Sequence, residues 1–86
     1  MRETTFKNNA LLEMQIWASE NPKMLKRIFR MLEECQRSPF EGIAKPEPLK
    51  GNLKGYWSRR IDEEHRLVYQ VTDDTITVFS VRGHYD

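Results

Sequence analysis

Two amphipathic segments set almost end to end do most to restrict how this chain can fold. Ala10, Leu11, Met14, Trp17 and Ala18 recur at spacings of three and four, which lays one apolar stripe along a helix. Asn21-Pro22 interrupts the pattern and restarts it, Asn being suited to an N-cap and Pro to the first helical position. Leu25, Ile28, Phe29, Leu32 and Cys35 carry a second stripe as far as about Arg37. Ser38-Pro39 ends it, because a residue before proline is pushed out of the α region. Two helices joined this tightly form a hairpin whose apolar faces need a further layer to cover them.

The second half supplies that layer. Residues 56–61 and 66–71 are rich in aromatic and β-branched side chains and flank the polar link Asp62-Glu63-Glu64-His65, a hairpin pattern. Thr72-Asp73-Asp74 makes a second turn, and 75–82 gives a third strand with Ile76 and Val78 alternating. Between helices and strands, FEGIAKPEPLKGNLKG (40–55) has three glycines, two prolines and no sustained period, so it reads as an ordered irregular segment. Residues 3–7 are a candidate edge strand, but Glu3-Thr4-Thr5 is a weak signal. The expected fold is therefore a single α+β domain over 1–86. It has a small twisted, mainly antiparallel β-sheet with the two N-terminal helices packed on one face. At 86 residues its core is small and its stability marginal.

Several function classes fall away. No run approaches the roughly 20 apolar residues that span a bilayer, and MRETTFKNNA lacks the apolar core of a secretory leader. The lone Cys35 fits a reducing cytoplasm and reads as a small apolar residue on a helix. Two histidines, His65 and His84, and one cysteine at no ligand-like spacing argue against a metal site, and no cofactor is expected. A phosphate-binding glycine loop, a nucleophile elbow and a Cys–His pair are all missing from the sequence. Net charge is only +1, yet 45–60 holds five cations (Lys45, Lys50, Lys54, Arg59, Arg60) against Glu47. That local excess suits either a phosphate backbone or an ordinary solvated surface.

RNA cleavage stays open because it asks little of a protein: the substrate's 2′-OH is its own nucleophile. A base, an acid and one or two cations suffice. Glu47 lies in Lys45-Pro46-Glu47-Pro48, where the prolines stiffen the chain; it is either a mounted base or a solvated glutamate in a Pro-x-Pro turn. His84 follows the last strand and titrates in the range useful to an acid or base; a frayed tail is the other reading. Arg66 opens the second hairpin strand, placed to clamp a phosphate or to pair with Glu63 or Glu64. His65 reads as a solvent-exposed turn residue. Trp57 reads as core rather than a base-stacking platform, with Tyr56 on the opposite face.

The run SPFEGIAKPEPLKGNLKGYWSRRIDEEHRLVY (38–69) resembles the central signature of the YoeB/Txe toxins of the RelE/ParE superfamily. PFEG, KPEPLK, SRRI and EHRLVY follow in order, and the terminal His84-Tyr85 is similar to the family ending. The resemblance covers about 10–85 and is loose before Ser38. It implies a RelE-like fold and a ribosome-dependent endoribonuclease that cuts messenger RNA in the A site of the 70S ribosome. Glu47 would be the general base, Arg66 the phosphate stabiliser, His84 the general acid and Tyr85 an RNA-positioning residue. Lys50, Arg59 and Arg60 would contact RNA or ribosomal phosphates. It further implies a homodimer neutralised by a YefM-like antitoxin. A non-catalytic ribosome- or antitoxin-binding relative and a ParE-like gyrase inhibitor are the competing functions. Asp86 extends the chain past the usual terminal Tyr and adds a negative charge near His84.

Overall fold

The joint between the helices is built from Asn21 and Pro22. In the computed structural model, which describes residues 1–83, α1 spans Asn8–Glu20 and α2 spans Pro22–Arg37. The Asn21 side chain accepts a hydrogen bond from the Met24 N–H at 3.3 Å, and Pro22 sits in the first turn, where its missing N–H is not needed. The buried faces differ in part from the stripes. Ala10, Met14 and Trp17 of α1 and Ile28, Met31, Leu32 and Cys35 of α2 face inward, whereas Leu11 and Phe29 are about half exposed. Neither helix is long and apolar enough to cross a membrane.

Among the described residues the sheet has five strands: β1 (Glu3–Phe6), β2 (Glu47–Pro48), β3 (Tyr56–Arg60), β4 (Arg66–Val71) and β5 (Thr75–Ser80), in the order β1-β5-β4-β3-β2. β3, β4 and β5 form the expected antiparallel meander, with β5 ending two residues earlier than the sequence pattern suggested. The polar N-terminus does form a strand. It runs parallel to β5, with Thr5 and Thr77 joined at 2.9 Å through their hydroxyls. Only one side of β1 needs to be apolar: Phe6 packs on the core, while Glu3 and Thr5 are exposed. β2 is a two-residue edge strand inside the irregular segment, with Glu47 opposite Ser58 and Pro48 opposite Trp57. An edge is where a strand tolerates proline.

Strand alternation separates the two faces of the sheet. Trp57, Arg59, Leu67, Tyr69, Ile76 and Val78 turn toward the helices, and Tyr56, Ser58, Arg60, Arg66 and Val68 turn away. Trp57 packs against the core and meets Phe40 at 4.8 Å between ring centroids. Tyr56, on the other face, meets Phe79 at 5.4 Å.

The end of β5 is held by α1. The Trp17 indole N–H donates to the Val81 carbonyl at 2.8 Å, and Glu13 Oε1 accepts from the Val81 N–H at 2.8 Å and the Ser80 hydroxyl at 3.1 Å. Arg82 lies 4.6 Å over the Trp17 ring and reaches Glu20 at 3.1 Å. Trp17→Phe keeps most of the apolar volume but leaves the Val81 carbonyl buried without its donor. It is expected to destabilise the fold by about 1–3 kcal/mol, measured by urea unfolding.

Candidate active site

The irregular segment that carries Glu47 is fixed by a single buried guanidinium. Arg59 is 0% exposed, and all five of its N–H groups find acceptors. Nε donates to Tyr69 Oη at 3.2 Å; Nη1 donates to Glu34 Oε1 at 2.7 Å and the Ile43 carbonyl at 3.2 Å; Nη2 donates to the carbonyls of Ser38 at 2.5 Å and Glu41 at 3.0 Å. Tyr69 Oη in turn donates to the Pro39 carbonyl at 2.6 Å, and Glu34 Oε1 also accepts from the Ile43 N–H at 2.8 Å. This placement corrects the assignment of Arg59 as an RNA contact. The side chain has neither an exposed surface nor a spare donor to offer a phosphate.

The same loop explains two of its own residues. Gly42 has φ +116°, and a Cβ there would run into the Glu34 carboxylate, so only glycine lets the loop close over the Arg59–Glu34 pair. Ala44 and Lys45 follow with φ of 64° and 52°, a left-handed pair without glycine whose strain is of order 1 kcal/mol or more per residue. The Ala44 carbonyl is secured by the Arg60 N–H at 2.8 Å. The chain thereby turns onto the sheet edge and delivers Pro46-Glu47-Pro48 beside β3.

Glu47 is more than half exposed, and its Oε1 lies 3.5 Å from Arg66 Nη1, whose side chain is only 12% exposed. Arg60 pairs in register with Arg66 and is exposed on the same face. Ser58, directly opposite Glu47, is fully buried with its hydroxyl unpartnered among the described residues. Lys50 is exposed just past β2. A carboxylate, a partly buried guanidinium and the accessible Arg60 thus share the face turned away from the helices, with Lys50 exposed just beyond β2. Such a set can accept a proton and neutralise a phosphate side by side. His84 and Tyr85 lie outside the described residues.

His65 departs from its reading as an exposed turn residue. Its ring stands edge-on to Trp17 at 5.0 Å with an interplanar angle of 86°, its side chain is 14% exposed, and its Nδ1 accepts from the Gly83 N–H at 2.9 Å. Cys35 is buried, as expected of a small apolar helix residue, and burial pushes its thiol pKa up.

The family model of the YoeB-like toxins of bacterial type II toxin–antitoxin systems matches residues 6–85. The chain belongs to this family. Toxin YoeB of Mycobacterium bovis is 51% identical over 85 residues, 99% of this chain and 100% of that protein. The YoeB/ParE toxin from Agrobacterium tumefaciens superposes with a TM-score of 0.92 at 36% identity, covering 96% of this chain and 99% of the other. The toxin in the YoeB–YefM complex from Staphylococcus aureus gives 0.88 at 44% identity, covering 99% of each chain. A YoeB dimer from the same organism gives 0.89 at 42%, covering 98% of each. The protein is thus a toxin of a type II toxin–antitoxin system with the YoeB/RelE fold.

The hydrogen bond from Arg59, followed by that from the Ile43 N–H, holds the Glu34 carboxyl below the usual carboxylate range. A lowered folded-state pKa gives stability that is fully present above the ordinary glutamate value of about 4.3 and is lost as pH falls through the lower folded value. Glu34→Gln keeps an acceptor but removes the charge. It should lower stability at pH 7 by on the order of 2 kcal/mol, below the range for stripping a buried partner entirely. It should also flatten the loss of stability below about pH 4.3, read from urea midpoints across pH.

Proposed function

We propose that this YoeB-family toxin is a ribosome-dependent endoribonuclease that cuts messenger RNA in the A site and so arrests translation. The observation that carries the reading is the Glu47–Arg66 pair at 3.5 Å on the open face of the sheet, with Arg60 beside it. In this mechanism Glu47 takes the proton from the 2′-OH, and O2′ attacks the adjacent phosphorus. Arg66 stabilises the charge that builds on the non-bridging oxygens. The P–O5′ bond breaks as His84 protonates the leaving oxygen. The products are a 2′,3′-cyclic phosphate and a free 5′-OH, and no metal takes part.

Tyr85 positions the RNA, and Lys50 and Arg60 engage phosphates of message or ribosome. Arg59 is left out of this group because its donors are already used within the fold. The S. aureus relatives support two further parts of the reading, a YefM-like antitoxin as the neutralising partner and a homodimer. The cytoplasm, where ribosomes and message are found, is the compartment in which it acts.

In a reconstituted translation reaction, the wild type should produce message ends at the A-site codon, mapped by primer extension, only when ribosomes are present. Glu47→Ala and His84→Ala should each reduce cleavage about 100-fold or more, the scale of a lost general base or acid. Arg66→Lys, which keeps the charge but loses the planar fork, should fall on the order of 10-fold or more. A folded wild type that leaves every message intact would make the protein a binding member of the family. Supercoiling defects in place of message cleavage would favour a gyrase inhibitor.

A further inference from the structure

Gly83, the residue before His84, is gripped from both sides by consecutive residues at the start of β4. Its carbonyl accepts from the Arg66 N–H at 2.9 Å, and its N–H donates to His65 Nδ1 at 2.9 Å. A backbone N–H can donate to an imidazole nitrogen only if that nitrogen keeps its lone pair. The ring therefore carries its proton on Nε2. Among the described residues the carboxylate nearest Nε2, that of Glu64, is 3.8 Å away and largely exposed, too far for a firm hydrogen bond.

The ring is oriented from two other directions. Trp17 supports it edge-on, and the His65 N–H is anchored on Asp62 Oδ1 at 2.6 Å, where the Glu64 N–H also bonds at 2.8 Å. Gly83 itself has φ +91°, a left-handed turn that glycine adopts without strain. With no side chain of its own, Gly83 is held by the hydrogen bonds on its N–H and carbonyl.

We propose that His65 is a positioning residue, whose Nδ1 holds the Gly83 N–H and so acts on the reaction through the residue before His84. The inference rests on the ribonuclease reading above and gives the start of β4 a double task. Arg66 meets the phosphate, and its neighbour His65 holds the peptide that leads to the acid. What the role requires of residue 65 is an acceptor at the Nδ1 position. A purely structural role would require only an aromatic ring against Trp17.

Two substitutions separate these requirements. His65→Phe keeps the ring and loses the acceptor; His65→Asn keeps an acceptor close to the Nδ1 position and loses most of the ring. Single-turnover cleavage on programmed ribosomes should show the maximal rate constant falling about 10- to 100-fold in His65→Phe with the half-saturating toxin concentration within about twofold, the scale of a misplaced catalytic group. His65→Asn should recover to within about fivefold of wild type while having the lower Tm, so that activity and stability rank the two variants in opposite orders.

Adding His65→Phe to His84→Ala should cause no further loss, since the effect is exerted through His84. Amide exchange at Gly83 should quicken in His65→Phe and stay protected in His65→Asn. Cleavage by His65→Phe at the wild-type rate, or activities that simply follow Tm, would overturn this inference alone. A wild type that cuts no message overturns the ribonuclease reading and this inference with it.

Discussion

A positive charge sealed inside an 86-residue protein is the constraint around which the rest is arranged. Taking a guanidinium out of water costs several kcal/mol unless every donor is met and an opposite charge stands near. Arg59 meets both conditions, with Glu34 as counter-charge and acceptors for each remaining N–H. The acceptors are mostly backbone carbonyls of a loop that has no periodic structure of its own. Satisfying the cation and ordering the loop are therefore one event. Burial that raises the Tyr69 phenol pKa also keeps that hydroxyl protonated, so it can accept from Arg59 and donate to Pro39 at once.

The stretches PFEG, SRRI and LVY, separate in sequence, meet at this one cluster. PFEG supplies carbonyls and a glycine thin enough to pass the Glu34 carboxylate; SRRI supplies the cation; LVY supplies the phenol. KPEP then leaves the cluster along the sheet edge with Glu47 on the outer face. Arg66 is held by a different device, the first pairing of β4 with β3, and the end of β5 by a third, the Glu13–Trp17–Glu20 side of α1. Independent supports are what rigid placement of a candidate site demands.

Much of this was legible in the sequence, and the reason differs by element. The helices and the three-strand meander follow from apolar period alone. β1 was obscure because its stabilising partner is β5, some seventy residues away, and a strand that buries one side chain in two needs few apolar residues. Arg59 was readable from the pattern: Trp57 turns inward, and a period of two sends Arg59 the same way. Its charge suggested a phosphate contact, whereas its register meant a buried clamp. Glu47 and Arg66 share a face because β2 and β4 flank β3 on either side, while the bond from Gly83 to His65 joins residues with no local pattern linking them.

The strand order has a consequence for how the chain is made. β5, the last of the described strands, occupies an interior place between β1 and β4. Until it is present, β1 has no neighbour and the apolar faces of α1 and α2 have only part of their cover. Contacts that span nearly the whole chain form late and slowly. A growing polypeptide with its first sixty residues exposed therefore holds both helical segments and β3 but lacks the Tyr69 that completes the Arg59 cluster and the strands that complete the sheet. Closure of the sheet, and with it the cover over both helices, waits on the synthesis of residues 75–80.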